Sequence, residues 1–372
     1  MPELHGEDDP DPIGNGPRRR GRVVPPGVAV RSGRETLSAE LALTIFRQMV
    51  RTRALEERSI KMSKSGEAYF WIGGPGEEAT NVCLGLQVHK GQGPAYDYLH
   101  LHYRNAGVML GMGMPMIDHV RQLGMRRTDP HSMGRNFVGH YCVPKWNVVP
   151  VTSVIEVQFA MAPGTALVQK RYGGEGITIV VGGEAGTAEG DFDSCLNWST
   201  RPGNELPVLM LVTNNRFGIS TDLRTVHVDR PVADRAVPYG IRAETVDGND
   251  PIAVWHGIAR AMRHCREQRR PFLLEAMVSR MHGHSSSSGA MRDPAEPDPL
   301  ALFERKLLDD GAIDPEGVAA LKDDAKAEAD AAVVEAMAEP QPTPADVRRF
   351  TYAPSPVDVV YPEDYTGLPA RR

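Results

Sequence analysis

Leu41, Ile45 and Met49 recur every four residues behind Ser38, a spacing that predicts an amphipathic helix opening on a serine cap and ending near Gly66. Residues 1–35 mix Pro, Gly and both signs of charge with no period, and predict a mobile arm. Between residues 70 and 165 short apolar runs alternate with Gly- and His-rich stretches, and no element stands out. Then the pattern clears. "GITIVVGG" (176–183) is continuously apolar and β-branched, as expected of a strand covered on both faces. "DFDSCLNWST" predicts a helix, "PVLMLVTNN" (207–215) a second buried strand, and "IRAETVDGND" (241–250) a strand with a turn. "DPIAVWHGIARAMRHCREQ" predicts a helix with Pro251 near its start, followed by the strand "RPFLLEAMVSRM". Asp314 and Pro315 open an Ala-rich helix that stops before Pro340, leaving a Pro-punctuated tail over 341–372.

Strand–helix–strand alternation with continuous apolar strands predicts an α/β fold, a parallel sheet flanked by helices, within one domain over 36–340. Ligands of such sheets lie beyond the carboxyl ends of the strands. That is where Glu184, Asn215 and the loop carrying His282 and His284 are expected. Glu184 and Asn215 are 31 residues apart, about one strand–helix–strand unit. Hard oxygen ligands at neighbouring strand ends suit Mg²⁺, which is usually shared with phosphates. Gly182, Gly183 and Gly186 would let the backbone approach a diphosphate. No lysine-bearing phosphate loop and no GxGxxG after a strand accompanies them.

Composition narrows the class. The 372 residues are 41% hydrophobic and 24% charged, an ordinary globular balance. A net charge of -6 argues against nucleic acid as a partner, and no apolar run approaches a membrane span. No secretion signal opens the chain, and Cys83, Cys142, Cys195 and Cys265 are scattered without a CxxC pair. Free thiols in a reducing cytoplasm are expected.

"GEAGTAEGDF…NNRFGIS" resembles the thiamine diphosphate signature, which runs from a Gly-Asp/Glu-Gly start to a closing Asn-Asn. More narrowly, the chain resembles the α subunit of the decarboxylating component of 2-oxo acid dehydrogenase complexes. "RALEER" (53–58), "GEEAT" (76–80), "HYRNAGV" (102–108), "VDGNDP" (246–251) and "SRMHGHS" (279–285) fall in that family's order. The resemblance implies the thiamine diphosphate-binding fold, in its diphosphate-binding half. It implies thiamine diphosphate and Mg²⁺ as cofactors, with Glu184, the Asn215 side chain and the Phe217 carbonyl on the metal. Tyr103, Arg104, Ile155, Gly183 and Ala185 would surround the cofactor with them, and Phe70 would stand near the substrate. His282 and His284 would be catalytic, His284 also beside the cofactor, an imidazole titrating near neutrality suiting acyl transfer. The implied reaction is oxidative decarboxylation of a 2-oxo acid with acyl transfer to lipoyl groups, the cofactor serving as electron sink. The glutamate that activates the cofactor comes, in this family, from a separate β subunit. The partners implied are therefore that β subunit, in an α2β2 heterotetramer, and a lipoyl acyltransferase core.

Plainer readings stand beside these. Glu184 alone reads as a loop acid, Asn214–Asn215 as a turn in which Asn214 only shapes the chain, and Arg104 as a surface ion pair. His282 and His284 alone read as a solvated pair, and Phe70 with Trp71 as core. Met109, Met112, Met114 and Met116 are expected to be packing. The chain also departs from the family. Ala185 replaces the second glycine, Thr213 an arginine, and Val154 and Val157 a Pro and a Thr at a potassium site; the loop after His284 is shortened. A branched-chain 2-oxo acid is the expected substrate, because Glu opens the signature. A pyruvate or acetoin enzyme is one alternative, and a non-catalytic scaffold for the β chain another.

Overall fold

The computed structural model describes residues 28–225, 228 and 230–349. It opens on an antiparallel hairpin, β1 (Ala29–Ser32) with β2 (Glu35–Ser38). Most of the expected arm lies outside the described residues, but its end differs from the expectation. Val30 and Leu37 face each other across the hairpin and bury in the main core, an apolar pair in a stretch too short to register as a period. Helix α1 (Ala39–Ser65) follows as the spacing predicted. The Ser38 hydroxyl accepts from the Leu41 N–H, and Gly66 ends the helix at φ 78.

The stretch with no legible pattern holds α2 (Glu78–Gly85), β3 (Tyr98–His100), α3 (Ala106–Gly111), α4 (Met116–Leu123) and the first half of α5 (Val157–Arg171). All eight residues of α2 are buried, so it has no polar face and shows no helical period. Met109, Met112, Met114 and Met116 are buried in the main core, as packing.

The predicted alternation then appears in order: β4 (Thr178–Gly183), α6 (Gly190–Ser199) and β5 (Val208–Asn214). A short ribbon, β6 (Phe217–Gly218) and β7 (Thr221–Asp222), precedes β8 (Arg242–Asp247), α7 (Pro251–Gln268) and β9 (Phe272–Met277). Helices α8 (Pro299–Asp309), α9 (Pro315–Ala338) and α10 (Pro344–Arg349) close the described chain, α10 standing within the expected tail. The Asp314 carboxylate accepts from Gly317 N at 2.8 Å, the predicted cap of α9.

Five parallel strands form the sheet in the order β3-β4-β5-β9-β8. Alternate side chains leave its two faces. Ile179, Val181, Leu209 and Leu211 join α1, α2, α7 and α9 in one core; Val180, Met210 and Val212 turn to Phe159, Phe192 and Leu196 of α5 and α6. Burying each such side chain is worth about 1.5–3 kcal/mol, so both faces of the sheet contribute to the core. Because the strands are parallel, their carboxyl ends share one edge. There β3 leads to Arg104, β4 to Glu184, β5 to Asn215 and β9 to the histidine loop. Among the described residues no helix is long and apolar enough to cross a membrane.

Candidate active site

Glu184 follows the last glycine of β4, and its N–H donates to Thr213 O at 3.3 Å, tying it to β5. Its carboxylate is 1% exposed. Oε2 accepts from Asn215 N at 3.2 Å, and Oε1 has no partner. Leaving such an oxygen unsatisfied costs about 1–3 kcal/mol, so it points to a missing ligand. Burial pushes this carboxyl above its ordinary range while Arg104 pulls it back. Asn215 Oδ1 accepts from Phe217 N at 3.0 Å, and its second lone pair remains free for a metal. Asn214 does shape the turn, its Oδ1 accepting from Arg216 N at 3.0 Å. It also donates through Nδ2 to the buried Glu275 at 2.7 Å, tying β5 to β9.

The basic side of the site comes from β3. Arg104 Nε stands 2.6 Å from Glu77 Oε1, and Nη1 donates to Tyr103 Oη at 3.1 Å. Its Nη2 lies over Gly183, where a Cβ would come within 2.8 Å and would displace the guanidinium. Tyr103 stacks on His102 at 3.8 Å and meets the edge of His284 at 6.0 Å. Arg280 is half-buried, with its guanidinium 5.4 Å from the Phe217 ring centre.

Between these groups lies a small cavity, lined among others by Glu77, Arg104, Asn215, Arg280, His282 and His284. Burial first, then the charges of Arg104 and Arg280, pulls the His284 imidazole down to about 4. It is therefore neutral at pH 7, unlike the expected group titrating near neutrality. Burial likewise lowers His282, whose Nδ1 has no partner and whose ring stands edge-on to Trp71 at 6.4 Å. Of the residues expected at the site, Arg104, Asn215, His282 and His284 line this cavity, whereas Phe70, Tyr103, Ile155, Gly183, Glu184, Ala185 and Phe217 do not. Phe70 packs on Phe137 at 5.4 Å, and Ile155 is exposed just before α5.

The histidine loop is fastened to the segment Trp71–Pro75. Ser286 N donates to Trp71 O at 2.8 Å, Trp71 N to Ser286 Oγ at 3.1 Å, and Met281 N to Pro75 O at 3.1 Å. Trp71 in turn donates from Nε1 to Glu56 Oε2 at 2.8 Å, and Gly74 N lies 3.4 Å from Glu56 Oε1. Burial pushes the Glu56 carboxyl up to about 7. At its base the loop is held by Asn249, which donates to Ser279 Oγ at 3.0 Å and accepts from Ser279 N at 3.1 Å. Gly76, at φ 109, lies against the Ser279 carbonyl where a side chain would collide. The shortened serine stretch closes on itself, Ser285 Oγ accepting from Ser287 N and Ser288 Oγ from Ser285 N.

Four residues of this constellation were not singled out from the sequence. Glu77 and Arg280 lie inside motifs that were, "GEEAT" and "SRMHGHS", and position within the motif was the available signal. Glu56 lies likewise in "RALEER". Glu156 gave only the oddity of one acid in an apolar run. It immediately precedes α5 at φ 63, makes no side-chain cap, and is 1% exposed. Its carboxyl fills the hollow over Gly182 and Gly186, where a Cβ on either glycine would collide with it, and Oε2 has no partner. Burial pushes it up to about 8.

Residues 46–345 match the family model described as "Dehydrogenase E1 component". The chain is 29% identical over 325 residues to the 2-oxoisovalerate dehydrogenase subunit alpha of Bacillus subtilis, covering 85% of this chain and 97% of the relative. It is 27% identical over 324 residues to the pyruvate dehydrogenase E1 component subunit alpha of the same organism, covering 84% and 82%. With the human mitochondrial 2-oxoisovalerate dehydrogenase subunit alpha it shares 28% over 338 residues, covering 88% and 72%.

Proposed function

The chain belongs to the dehydrogenase E1 component family, and from that footing we propose that it is the α subunit of a thiamine diphosphate- and Mg²⁺-dependent 2-oxo acid dehydrogenase. The observation that carries this reading is the buried, unpartnered Oε1 of Glu184 beside the Asn215 amide, a hard-oxygen pair of the kind Mg²⁺ takes. The donor set fits the cofactor. Glu184, Asn215 and the Phe217 carbonyl would hold the metal, and Arg104 with Tyr103 would face the diphosphate above Gly183. When bound, the cofactor would supply a carbanion and an electron sink for loss of carbon dioxide.

The chain's own groups do the rest. Arg104 and Arg280 bring positive charge to the cavity, which offsets phosphate charge and orients it. His284, kept neutral, can direct a ring N–H at a substrate oxygen that gains negative charge, and Tyr103 fixes its edge. His282, which also lines the cavity and stands edge-on to Trp71, is the second catalytic imidazole proposed. The reading requires a β subunit to supply the missing acid and a lipoyl acyltransferase core to receive the acyl group, in a cytoplasmic setting. A branched-chain 2-oxo acid is the substrate proposed, with pyruvate or acetoin the alternatives.

The test is co-expression with the β chain and oxidation rates with 3-methyl-2-oxobutanoate, pyruvate and acetoin. The branched-chain substrate should lead in kcat/KM by about tenfold or more, equivalent to about 1.4 kcal/mol of transition-state binding. A lead for pyruvate would replace the substrate assignment. No turnover of any of the three, with thiamine diphosphate unbound, would favour the scaffold.

A further inference from the structure

Glu156 is the residue of the site with the least structural reason to be there. At φ 63 a side chain is strained and glycine is not. Its carboxyl is out of water with one oxygen unpartnered, and it leaves the first turn of α5 uncapped. None of this favours the fold. What the side chain does accomplish is to fill space. It fits the hollow over Gly182 and Gly186, two glycines of the segment expected to receive a diphosphate. The next glycine in that row, Gly183, directs its N–H at the same carboxyl and lies beneath the Arg104 guanidinium. A phosphate oxygen drawn to that N–H and to Arg104 would meet Glu156 already in place.

We propose that Glu156 is an internal occupant of the diphosphate cradle, a carboxyl held against the β4 glycines that competes with the phosphate oxygens and so restrains cofactor affinity. The inference rests on the thiamine diphosphate reading above and extends it to a residue that weakens, rather than makes, the binding site. Two properties contribute separately: the bulk of the side chain closes the hollow, and its charge, when ionised, repels the anion.

Calorimetric titration of thiamine diphosphate with Mg²⁺ into the full-length chain assembled with its β chain tests this in wild type, Glu156→Gly and Glu156→Gln. Glu156→Gly removes strain, bulk and charge, and should bind about tenfold tighter. Glu156→Gln keeps the bulk and cannot ionise, and at pH 9, where the wild-type carboxyl carries its charge, should fall between it and wild type. Should the glycine variant fail to assemble, the Gln variant decides alone, and tighter binding supports the proposal. Equal binding in wild type and variants overturns the proposal while leaving the cofactor reading intact. Weaker binding in either variant overturns it as well, since Glu156 would then be a donor to the phosphate. No binding by wild type or either variant overturns proposal and reading together.

Discussion

The two halves of the candidate site rest on different supports. Glu184 and Asn215 stand one residue past β4 and β5, strands paired from Thr178 with Val208 to Gly183 with Thr213 and buried on both faces. His282 and His284 ride on a loop held by a few cross-links to Trp71, Pro75 and Asn249, and Trp71 is itself held by one buried acid, Glu56. The strand-borne half is positioned by a backbone ladder that no single side chain controls. The loop-borne half is positioned by side chains, so it can be loosened one residue at a time. A metal site needs the first kind of support, because its ligands must converge within a few tenths of an ångström. The loop, if it has the proposed acid–base role, would accommodate a substrate and a lipoyl arm and can work on the second.

The largest effect expected from this contrast is chemical and leaves the fold untouched. Glu184→Ala removes the carboxylate proposed to hold the metal from a ladder that keeps its shape. Thiamine diphosphate affinity in the presence of Mg²⁺ should fall by about 100-fold or more by calorimetry, while the melting temperature of the cofactor-free chain changes little, loss of the unpartnered Oε1 offsetting the orphaned Asn215 N–H. A fall in affinity below about tenfold would remove the strand ends as the cofactor's anchor.

The loop-borne half should answer to pH. Glu56 is lifted to about 7 in the folded chain by burial, against about 4.3 for an unfolded glutamate. With the folded value raised, its contribution to stability is complete below the unfolded value and is lost as pH rises through about 7. Wild type should lose about 3 kcal/mol from this source between those limits, and Glu56→Gln, which cannot ionise, should flatten that part of the melting profile. Hydrogen exchange sharpens the comparison: the variant should open residues 281–288 faster and leave 178–184 unchanged. Parallel pH profiles for the two proteins would show that Glu56 does not titrate as described.

The contrast also separates what was legible in the sequence from what was not. The strand-borne half was written locally: continuous β-branched runs, each ending on a chemical residue, gave β4, β5, Glu184 and Asn215 together. The histidines were legible as a motif, but their support was not, because Trp71 meets Ser286 across 215 residues of chain. Region 70–165 stayed dark for a related reason: α2 is buried on every side, and burial without a polar face leaves no period. Glu156 was hidden by the opposite rule. An acid among apolar residues reads as surface, and only the glycines across from it, distant in sequence, reveal that it is buried. Phe70 shows that a matched position and a cavity wall are separate facts.

The smallest expected effect concerns one departure from the family, Ala185 in place of the second glycine. It begins a short helical turn, Ala185–Ala188, with a negative φ, so the backbone there has no need of glycine. Its methyl group points toward Gly218 on the ribbon after Asn215, where an added Cβ would stand 2.8 Å away. The space that a glycine at 185 would have left is supplied instead by a glycine at 218. Ala185→Gly should therefore change thiamine diphosphate affinity by no more than about twofold. It should cost at most about 1 kcal/mol of stability through added freedom of the unfolded chain. Because the strand-borne half is set by its ladder, trimming one methyl there should pass almost unnoticed. A tenfold gain in affinity would mean that the methyl crowds the diphosphate after all, and that this half of the site is less rigidly placed than its strands suggest.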